Sequence, residues 1–339
     1  MRADYLVLIG QFAPFHNGHL ALLRRALDLA GRVIVLVGSA GRARDGRHPW
    51  TAGEREQMIL AAVPHEAGRI VVRSLRDHLY NENAWLGAVQ TAVREVAGTN
   101  TSIGLIGGPE TSADYLRAFP QWPREELPAV ACPPAQELRE QFLSGTDGGM
   151  ALLRAHVPRG VFEILDAFRQ GSSAYGTLVE EHRFVQTYRK GWESAPYPPT
   201  FVTVDAVVVH SGHLLLVARG AQPGKGLWAL PGGFVRGTER LADAVLRELR
   251  EETRLKLPAP VLRGSLRTQE TFDHPERSLR GRTITHAFHF EFPAGDLPPV
   301  KGGDDAAKAR WFPLSELPAL ESQMYEDHYY IVERFVGLP

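Results

Sequence analysis

The chain has 339 residues, 38 basic and 39 acidic side chains that leave a formal charge of −1, and 44% hydrophobic residues. It is too long for one ordinary domain and too apolar to be disordered, so two cores are expected, and near-neutral charge argues against a dedicated nucleic-acid binder. Cys132, the only cysteine, excludes an intramolecular disulfide, no secretory pattern opens the chain, and the apolar runs Tyr5 to Ile9 and Ala206 to Val209 fall far short of the ~20 residues of a membrane helix. The expectation is a cytoplasmic protein with neither membrane nor nucleic acid as partner.

The first half alternates β-branched runs with helical patterns, the grammar of a parallel sheet covered by helices. Residues 4–10 read as a strand and Gln11 to Gly18 as a loop. A helix from His19 carries Leu20, Leu23, Leu27 and Ala30, Gly31 is its expected stop, and Arg32 to Gly38 form a second strand. Thr51 and Glu54 make a capping box for a helix to about Ala62, Asn83 to Val96 predict a helix ending at Gly98, and Ser102 to Gly107 a strand. Helical segments follow at 159–169 and 173–190, and the Pro-rich stretch Ser194 to Pro199 marks a boundary. Beyond it the pattern changes: Phe201 to Val209 and His213 to Ala218 read as a hairpin through Ser211-Gly212. A helix is expected over Glu239 to Leu255, with strands at Leu266 to Thr271, Thr283 to Phe292 and Ala309 to Phe312.

The sharpest chemical signal lies on the second-half helix. At about 100° per residue, Glu248 and Glu252 share a face with Leu241 and Val245. A solvated charged face is the bland reading, but carboxylates set among core-directed leucines suffer desolvation and mutual repulsion unless a cation neutralises them. Clustered hard oxygen donors suit Mg²⁺ or Mn²⁺, which also meet substrate phosphates.

The stretch resembles the Nudix box, a glycine, five residues, Glu, seven residues, then Arg-Glu-apolar-any-Glu-Glu-any-Gly-apolar. Gly233, Glu239, Arg247, Glu248, Leu249, Glu251, Glu252 and Leu255 match, and Arg254 stands where the family has glycine. The resemblance implies a Nudix α/β/α sandwich with a mixed sheet and metal-assisted attack of water on a nucleoside diphosphate linkage. It implies that Glu248 and Glu252 hold the metal, with Glu251, Glu239 and Gly232 as further candidates. Glu251 would also ligate or position water, and Arg247 would orient the glutamates. Trp228, Pro231, Gly232 and Gly233 precede the box as in many members. In the following loop Arg277, Arg280 and Arg282 are candidate phosphate contacts and Phe272 a base-stacking ring, with a solvated hairpin tip as the alternative for the arginines. Asp304 and Asp305 read as turn acids or as a supporting base or metal contact.

Between the first strand and helix lies Gly10-Gln11-Phe12-Ala13-Pro14-Phe15-His16-Asn17-Gly18-His19. A strand, a glycine-containing loop and a helix N-terminus make an anion site, because free backbone N–H groups and the helix dipole both face the loop. Two imidazoles there can donate to phosphate oxygens, while a turn with a capping role is the plain alternative.

This segment resembles the HxGH nucleotidyltransferase superfamily, in particular nicotinamide mononucleotide (NMN) adenylyltransferases, through Gly10, Phe12, Pro14, His16, Gly18 and His19. Pro49-Trp50-Thr51-Ala52 with Glu54-Arg55, Tyr80 to Leu86, and Phe119 to Trp122 continue the likeness. It implies a Rossmann-like α/β domain that transfers an adenylyl group from ATP to NMN, giving NAD and pyrophosphate. His16 and His19 would stabilise the reacting phosphorus, Gln11 lies in the same loop, and Trp85 would stack the nicotinamide; a half-buried core ring is the alternative for Trp85. The family's late Ser-x-Thr-x-x-Arg motif, which grips the triphosphate at a helix start, is represented by Ser144 and Thr146 with Gly149 in the arginine place. Arg154 is the candidate substitute. Around Gly107 to Ser112 the family's usual His and Lys are missing as well.

Both motifs in this order resemble bacterial bifunctional NMN adenylyltransferase/Nudix hydrolase proteins over nearly the full length. The expected organisation is a transferase domain over 1–172, a helical and Pro-rich linker over 173–199 and a Nudix domain over 200–339. The expected ligands are ATP, NMN or NAD, and ADP-ribose, the last hydrolysed to AMP and ribose 5-phosphate, and a homo-oligomer is possible. Two readings stay open beside it: a hydrolase with an impaired or repurposed first domain, and a non-catalytic ADP-ribose sensor. Against the sensor, roughly 27 residues after Phe312 are few for a DNA-binding winged helix.

Overall fold

The computed structural model describes residues 3–108 and 113–337. The departure at Pro109 to Ser112 therefore lies outside the described residues. The chain divides into two compact units between His182 and Arg183. Among the described residues no helix is long and apolar enough to cross a membrane.

In the first unit β1 (Ala3–Gly10), β2 (Ala30–Ala40), β3 (Ile70–Arg76), β4 (Ile103–Gly107) and β5 (Arg124–Glu126) form one sheet in the order 3-2-1-4-5. Every pairing is parallel. Alternation along the strands separates two cores. Leu6 and Leu8 with Val33, Val35 and Val37 pack against α1 (Asn17–Leu29), α2 (Ala52–Ala62), α5 (Ala135–Leu143), α6 (Asp147–His156) and α7 (Arg159–Gly171). Val7 and Ile9 with Ile34 and Leu36 pack against α3 (Glu82–Ala97) and α4 (Ala113–Ala118). This is why the strands read as continuous apolar runs rather than alternating ones. The strand order reverses at β1, and the β1–α1 loop emerges at that switch point, where open α/β sheets bind ligands.

The capping box at Thr51 and Glu54 is present in both directions. Gly31 does not act as the helix stop: Ala30 is already extended at φ −124° and ψ 162°, so α1 passes directly into β2 with Gly31 inside the strand. The division between the units falls within α8 (Ser173–Lys190).

The second unit has a mixed sheet. Strands β6 (Phe201–His210), β7 (His213–Arg219), β10 (Leu266–Phe272), β11 (Thr283–Phe292) and β12 (Ala306–Pro313) lie in the order 10-11-6-7-12. Only β11 with β6 is parallel along that path. The short strands β8 (Trp228–Ala229) and β9 (Gly232–Phe234) add to β7 and β6. The expected β6–β7 hairpin turns through Ser211 and Gly212 at φ +46° and +72°, the pair of left-handed residues that a tight hairpin needs. Helix α9 (Leu241–Thr253) lays Ala244, Val245 and Leu249 on Val204, Ala206, Phe288 and Phe290. It begins two residues later than the sequence suggests, because Arg240 occupies the N-cap and Glu239 stays outside the helix. Helices α10 (Ala259–Gly264), α11 (Leu317–Leu320) and α12 (His328–Val336) complete the unit.

Arg254 ends α9 in the left-handed region at φ +52° and ψ +26°, the conformation that the family's glycine relieves. Arg254→Gly is accordingly expected to raise stability by up to about 1 kcal/mol, read as a higher urea midpoint. A lower midpoint would mean that the arginine's packing over Gly303 outweighs the backbone strain.

Candidate active sites

In the first unit the β1–α1 loop presents two imidazoles, His16 and His19, tilted by 30° with ring centroids 3.8 Å apart. Both are buried, at 0% and 3% exposure. His16 is the N-cap of α1, where its Nδ1 accepts the Gly18 N–H at 3.1 Å. The His16 N–H in turn donates to His19 Nδ1 at 3.4 Å. The capping reading and the anion-site reading are therefore compatible, since accepting at Nδ1 puts each ring proton on Nε2, as a donor. Burial, with the charges of Arg139 and His156 nearby, lowers the His16 pKa to about 4, so the ring is a neutral hydrogen-bond donor. Phe12 is buried edge-on against His19 at 5.0 Å and its ring fills the space beside Gly10, so it shapes the loop from within. Pro14 and Gly18 are buried too. Exposed Gln11 donates to Ser39 Oγ at 3.3 Å. Beneath the loop the buried Arg55 donates to the carbonyls of Gln11, Gly38 and Ser39.

Trp85 sits half-buried on α3 with its ring 6.0 Å from Phe119, which stacks on Trp122. Thr146 is the N-cap of α6, its Oγ1 accepting the Gly149 N–H at 3.1 Å and lying 3.0 Å from Ser144 Oγ. Arg154 does not face that end of the helix. Its guanidinium lies over the Phe162 ring at 4.6 Å, and seven residues of rise put it about 10 Å along α6 from Asp147.

In the second unit Glu239, Glu248 and Glu251 converge on one cation, Arg247. The guanidinium donates to both Glu239 oxygens at 2.6 and 3.0 Å, to Glu248 at 2.7 Å and to Glu251 at 2.9 Å. These bonds lower the Glu239 pKa to about 2 and fit Glu239 to orienting Arg247. Glu252 lies deeper and accepts the Gly232 N–H at 2.9 Å. Burial raises the Glu252 pKa to about 9 despite that N–H, with Asp305 hydrogen-bonded to it and Glu248 alongside adding to the rise. Burial likewise raises Glu248, against the pull of Arg247. Strand β9 comes close because residue 233 is glycine: a Cβ there would stand 2.7 Å from Glu248 Oε1.

A buried acidic group of this kind calls for a cation, and its oxygen donors suit a hard divalent ion. Among the described residues no three acidic, histidine or cysteine side chains already form a metal cage, since Arg247 holds Glu248 and Glu251. Asp305, which sequence leaves between turn acid and metal contact, stands beside Glu252. The signal for it is its place immediately before β12, which brings it back to α9.

A cleft runs past Glu252, Gly232, Asp305, Arg280, Arg277 and His328. Two residues expected to touch substrate are engaged in packing or pairing within the unit. Phe272 is 1% exposed and packs edge-on against Phe335, so it has no face for a base. Arg277 is no solvated tip: it is 3% exposed and donates two bonds of 2.9 Å to Asp327. Arg277→Met is expected to cost about 3–5 kcal/mol, the penalty of stranding a buried partner charge. A variant of wild-type stability with weakened ADP-ribose binding would restore the phosphate role.

Arg282 fits the hairpin-tip alternative, bonded to the Asp273 carbonyl and 36% exposed. Arg280 reaches the cleft, its guanidinium 4.8 Å from the ring centre of Phe234. Trp228 packs edge-on against Phe312 at 4.7 Å, leaving Ala229 and Leu230 to line the cleft. Sequence spacing passed over His328, whose Nδ1 accepts the Leu230 N–H at 2.9 Å and whose Nε2 lies 3.9 Å from Asp205.

Comparison with known proteins agrees with these two arrangements. The NUDIX domain profile matches residues 199–335, and the cytidylyltransferase-like profile matches residues 7–79. The chain is 34% identical over 183 residues to a nicotinamide/nicotinic acid mononucleotide adenylyltransferase of Acinetobacter baylyi, covering 53% of this chain and 94% of that relative. It is 36% identical over 146 residues to an ADP-ribose pyrophosphatase of Methanocaldococcus jannaschii, covering 43% of this chain and 78% of the relative. A crystal structure of a bifunctional NMN adenylyltransferase/ADP ribose pyrophosphatase from Francisella tularensis, complexed with AMP and manganese ion, superposes with a TM-score of 0.93 at 35% identity over 99% of both chains. The agreement spans both units in the same order, and the chain belongs to the family of bifunctional NMN adenylyltransferase/ADP ribose pyrophosphatase proteins.

Proposed function

We propose that the chain makes NAD in its first domain and hydrolyses ADP-ribose in its second. Residues 1–172 are assigned to the transferase, 200–339 to the hydrolase, and 173–199 to the connection between them. The observations that support this reading are paired imidazoles at a helix N-terminus in the first half and buried carboxylates behind Gly232 and Gly233 in the second.

In the transferase, an NMN phosphate oxygen attacks the α-phosphorus of ATP in line and the bond to the leaving pyrophosphate breaks. No covalent enzyme intermediate is needed, so positioning and charge stabilisation carry the rate. His16 and His19 donate from Nε2 to the phosphoryl oxygens, and the α1 N-terminus adds its dipole. Gly10, Gln11, Phe12, Pro14 and Gly18 shape the loop, Ser144 and Thr146 receive the triphosphate at α6, and Trp85 offers its ring to the nicotinamide.

In the hydrolase, water attacks one phosphorus of ADP-ribose, and AMP and ribose 5-phosphate separate. Glu248, Glu251 and Glu252 would hold Mg²⁺, with Mn²⁺ as its substitute, and Gly232, whose N–H donates to Glu252, is the backbone candidate beside them. Such an ion lowers the pKa of bound water and neutralises charge on the diphosphate. Arg247, fixed by Glu239, keeps Glu248 and Glu251 in place, and Arg280, which lines the same cleft as Glu252, meets the substrate.

The near-neutral charge and single cysteine support work in the cytoplasm without nucleic acid. The intact carboxylates favour turnover over sensing. Incubation of the purified chain with ADP-ribose and Mg²⁺, and separately with NMN, ATP and Mg²⁺, should yield AMP with ribose 5-phosphate and NAD with pyrophosphate. Absence of the first pair would leave a sensor, and absence of the second a hydrolase with a repurposed first domain.

A further inference from the structure

Two polar atoms in the cleft of the second unit face each other across a gap that neither fills. Asp205 on β6 and His328 at the start of α12 both line the cleft that runs past Glu252. They are 5% and 6% exposed. His328 Nε2 and Asp205 Oδ1 stand 3.9 Å apart, too far for a direct hydrogen bond.

The other atoms of both side chains are already engaged, which fixes what these two offer. His328 Nδ1 accepts the Leu230 N–H at 2.9 Å, so the ring proton sits on Nε2. Burial lowers the His328 pKa against the pull of Asp205 and Asp327, and the ring is a neutral donor. Asp205 Oδ2 accepts the Thr285 hydroxyl at 2.5 Å. Arg277 lies 3.9 Å from the same oxygen, but its two short bonds go to Asp327. Among the described residues neither His328 Nε2 nor Asp205 Oδ1 has a hydrogen-bond partner.

A donor and an acceptor at this separation are bridged by one oxygen about 2.8 Å from each. That oxygen must accept from an imidazole N–H and donate to a carboxylate. A hydroxyl group does both, whereas an ionised phosphate oxygen or a base carbonyl has no proton to give and an exocyclic amine offers no lone pair. Position narrows the choice further. A Cβ at residue 232 would stand 2.5 Å from Asp205 Oδ1, so the carboxylate lies against Gly232, whose N–H is bonded to Glu252. The gap therefore adjoins the acidic group assigned to the metal, and each ribose of ADP-ribose is joined to the diphosphate through a single C5–O link.

We propose that Asp205 and His328 form the ribose-recognition pair of the hydrolase, holding one sugar hydroxyl of a nucleoside diphosphate sugar between Oδ1 and Nε2. Resting on the hydrolase reading above, this assignment goes beyond it by naming two specificity residues outside the carboxylate motif. An analogue without that hydroxyl is rejected, because a buried donor and a buried carboxylate oxygen are then left unpaired.

The test compares ADP-ribose with analogues lacking one ribose hydroxyl at a time, on the adenosine or on the terminal sugar. Wild type, His328→Asn, His328→Gln and Asp205→Asn are measured as full chains. Hydrolysis with Mg²⁺ gives kcat/KM, and calorimetry in EDTA gives Kd without turnover. In wild type one analogue is expected to lose about 10- to 100-fold in both kcat/KM and affinity, and its missing hydroxyl identifies the sugar. Asparagine at 328 keeps an acceptor for the Leu230 N–H and removes the Nε2 donor, so His328→Asn should treat that analogue and ADP-ribose alike within about twofold. Glutamine places an amide N–H near the former Nε2, so His328→Gln should retain the preference. Asp205→Asn exchanges a charged acceptor for a neutral amide and should cut the preference at least about threefold.

A structural role alone would lower activity toward all of these substrates and leave their ratio unchanged. An undiminished ratio in either His328→Asn or Asp205→Asn would accordingly overturn the pair, and if one variant melts early the other carries the test. A wild-type chain that hydrolyses no ADP-ribose yet binds it with a hydroxyl preference that His328→Asn abolishes would sink the hydrolase reading and leave the pair standing. Hydrolysis of ADP-ribose with no hydroxyl preference would leave the gap to water and sink the pair alone.

Discussion

Glu252→Gln should lose ADP-ribose hydrolysis almost completely while folding normally. Glutamine keeps the shape of the side chain and an oxygen to accept the Gly232 N–H now bonded to Glu252. What it removes is the ionisable carboxyl that a bound divalent ion would draw on as a carboxylate donor, within the buried group formed with Glu248 and Asp305. Even residues that only support metal ligands typically cost 10- to 100-fold on mutation, so loss of a donor should exceed about 100-fold in kcat/KM. Calorimetry with Mn²⁺ should show binding weakened in parallel. Unchanged turnover would place the metal away from Glu252, and full turnover with no detectable metal uptake would remove the carboxylate account of this site.

His19→Ala should cut NAD formation by about 10²- to 10³-fold, the scale for deleting one donor aimed at developing charge on a transferring group. The imidazole has a second task, since His19 Nδ1 accepts the His16 N–H in the capping box of α1. Loss of that bond should cost about 1 kcal/mol of stability, visible as a modest fall in melting temperature. ADP-ribose hydrolysis by the same preparation should be unaffected. A large drop in both activities would mean that His19 supports the fold more than the chemistry.

The legibility of the sequence followed the range of the interactions. The capping box at Thr51 and Glu54, the hairpin through Ser211 and Gly212, and the inward carboxylates of α9 are all written within a few residues, and the structure contains each of them. The start of α9 was less legible because Arg240 offers no capping side chain. Arg277 and Phe272 read locally as surface contacts in a polar loop. Their actual surroundings come from Asp327, fifty positions on, and from Phe335 on α12, and no local spacing encodes such partners. The same holds for Gly149. Its departure from the family pattern is visible in the chain, but the reason, a carbonyl from α5 in the side chain's place, exists only after packing.

Asp305 shows how a residue changes meaning with the fold. In sequence it is one of two acids before a strand, a common turn. Pairing of β12 with β7 brings it beside Glu252, so the acidic group draws on residues outside the motif that announces it.

Independence of the two phosphate-handling sites is tested most directly by a crossed assay. Wild type, Glu252→Gln and His19→Ala are each measured for NAD formation and for ADP-ribose hydrolysis in one buffer with Mg²⁺. Glu252→Gln is expected to keep the first activity and lose the second, while His19→Ala does the reverse. A wild-type chain with neither activity, or either variant losing both while remaining folded, would contradict it.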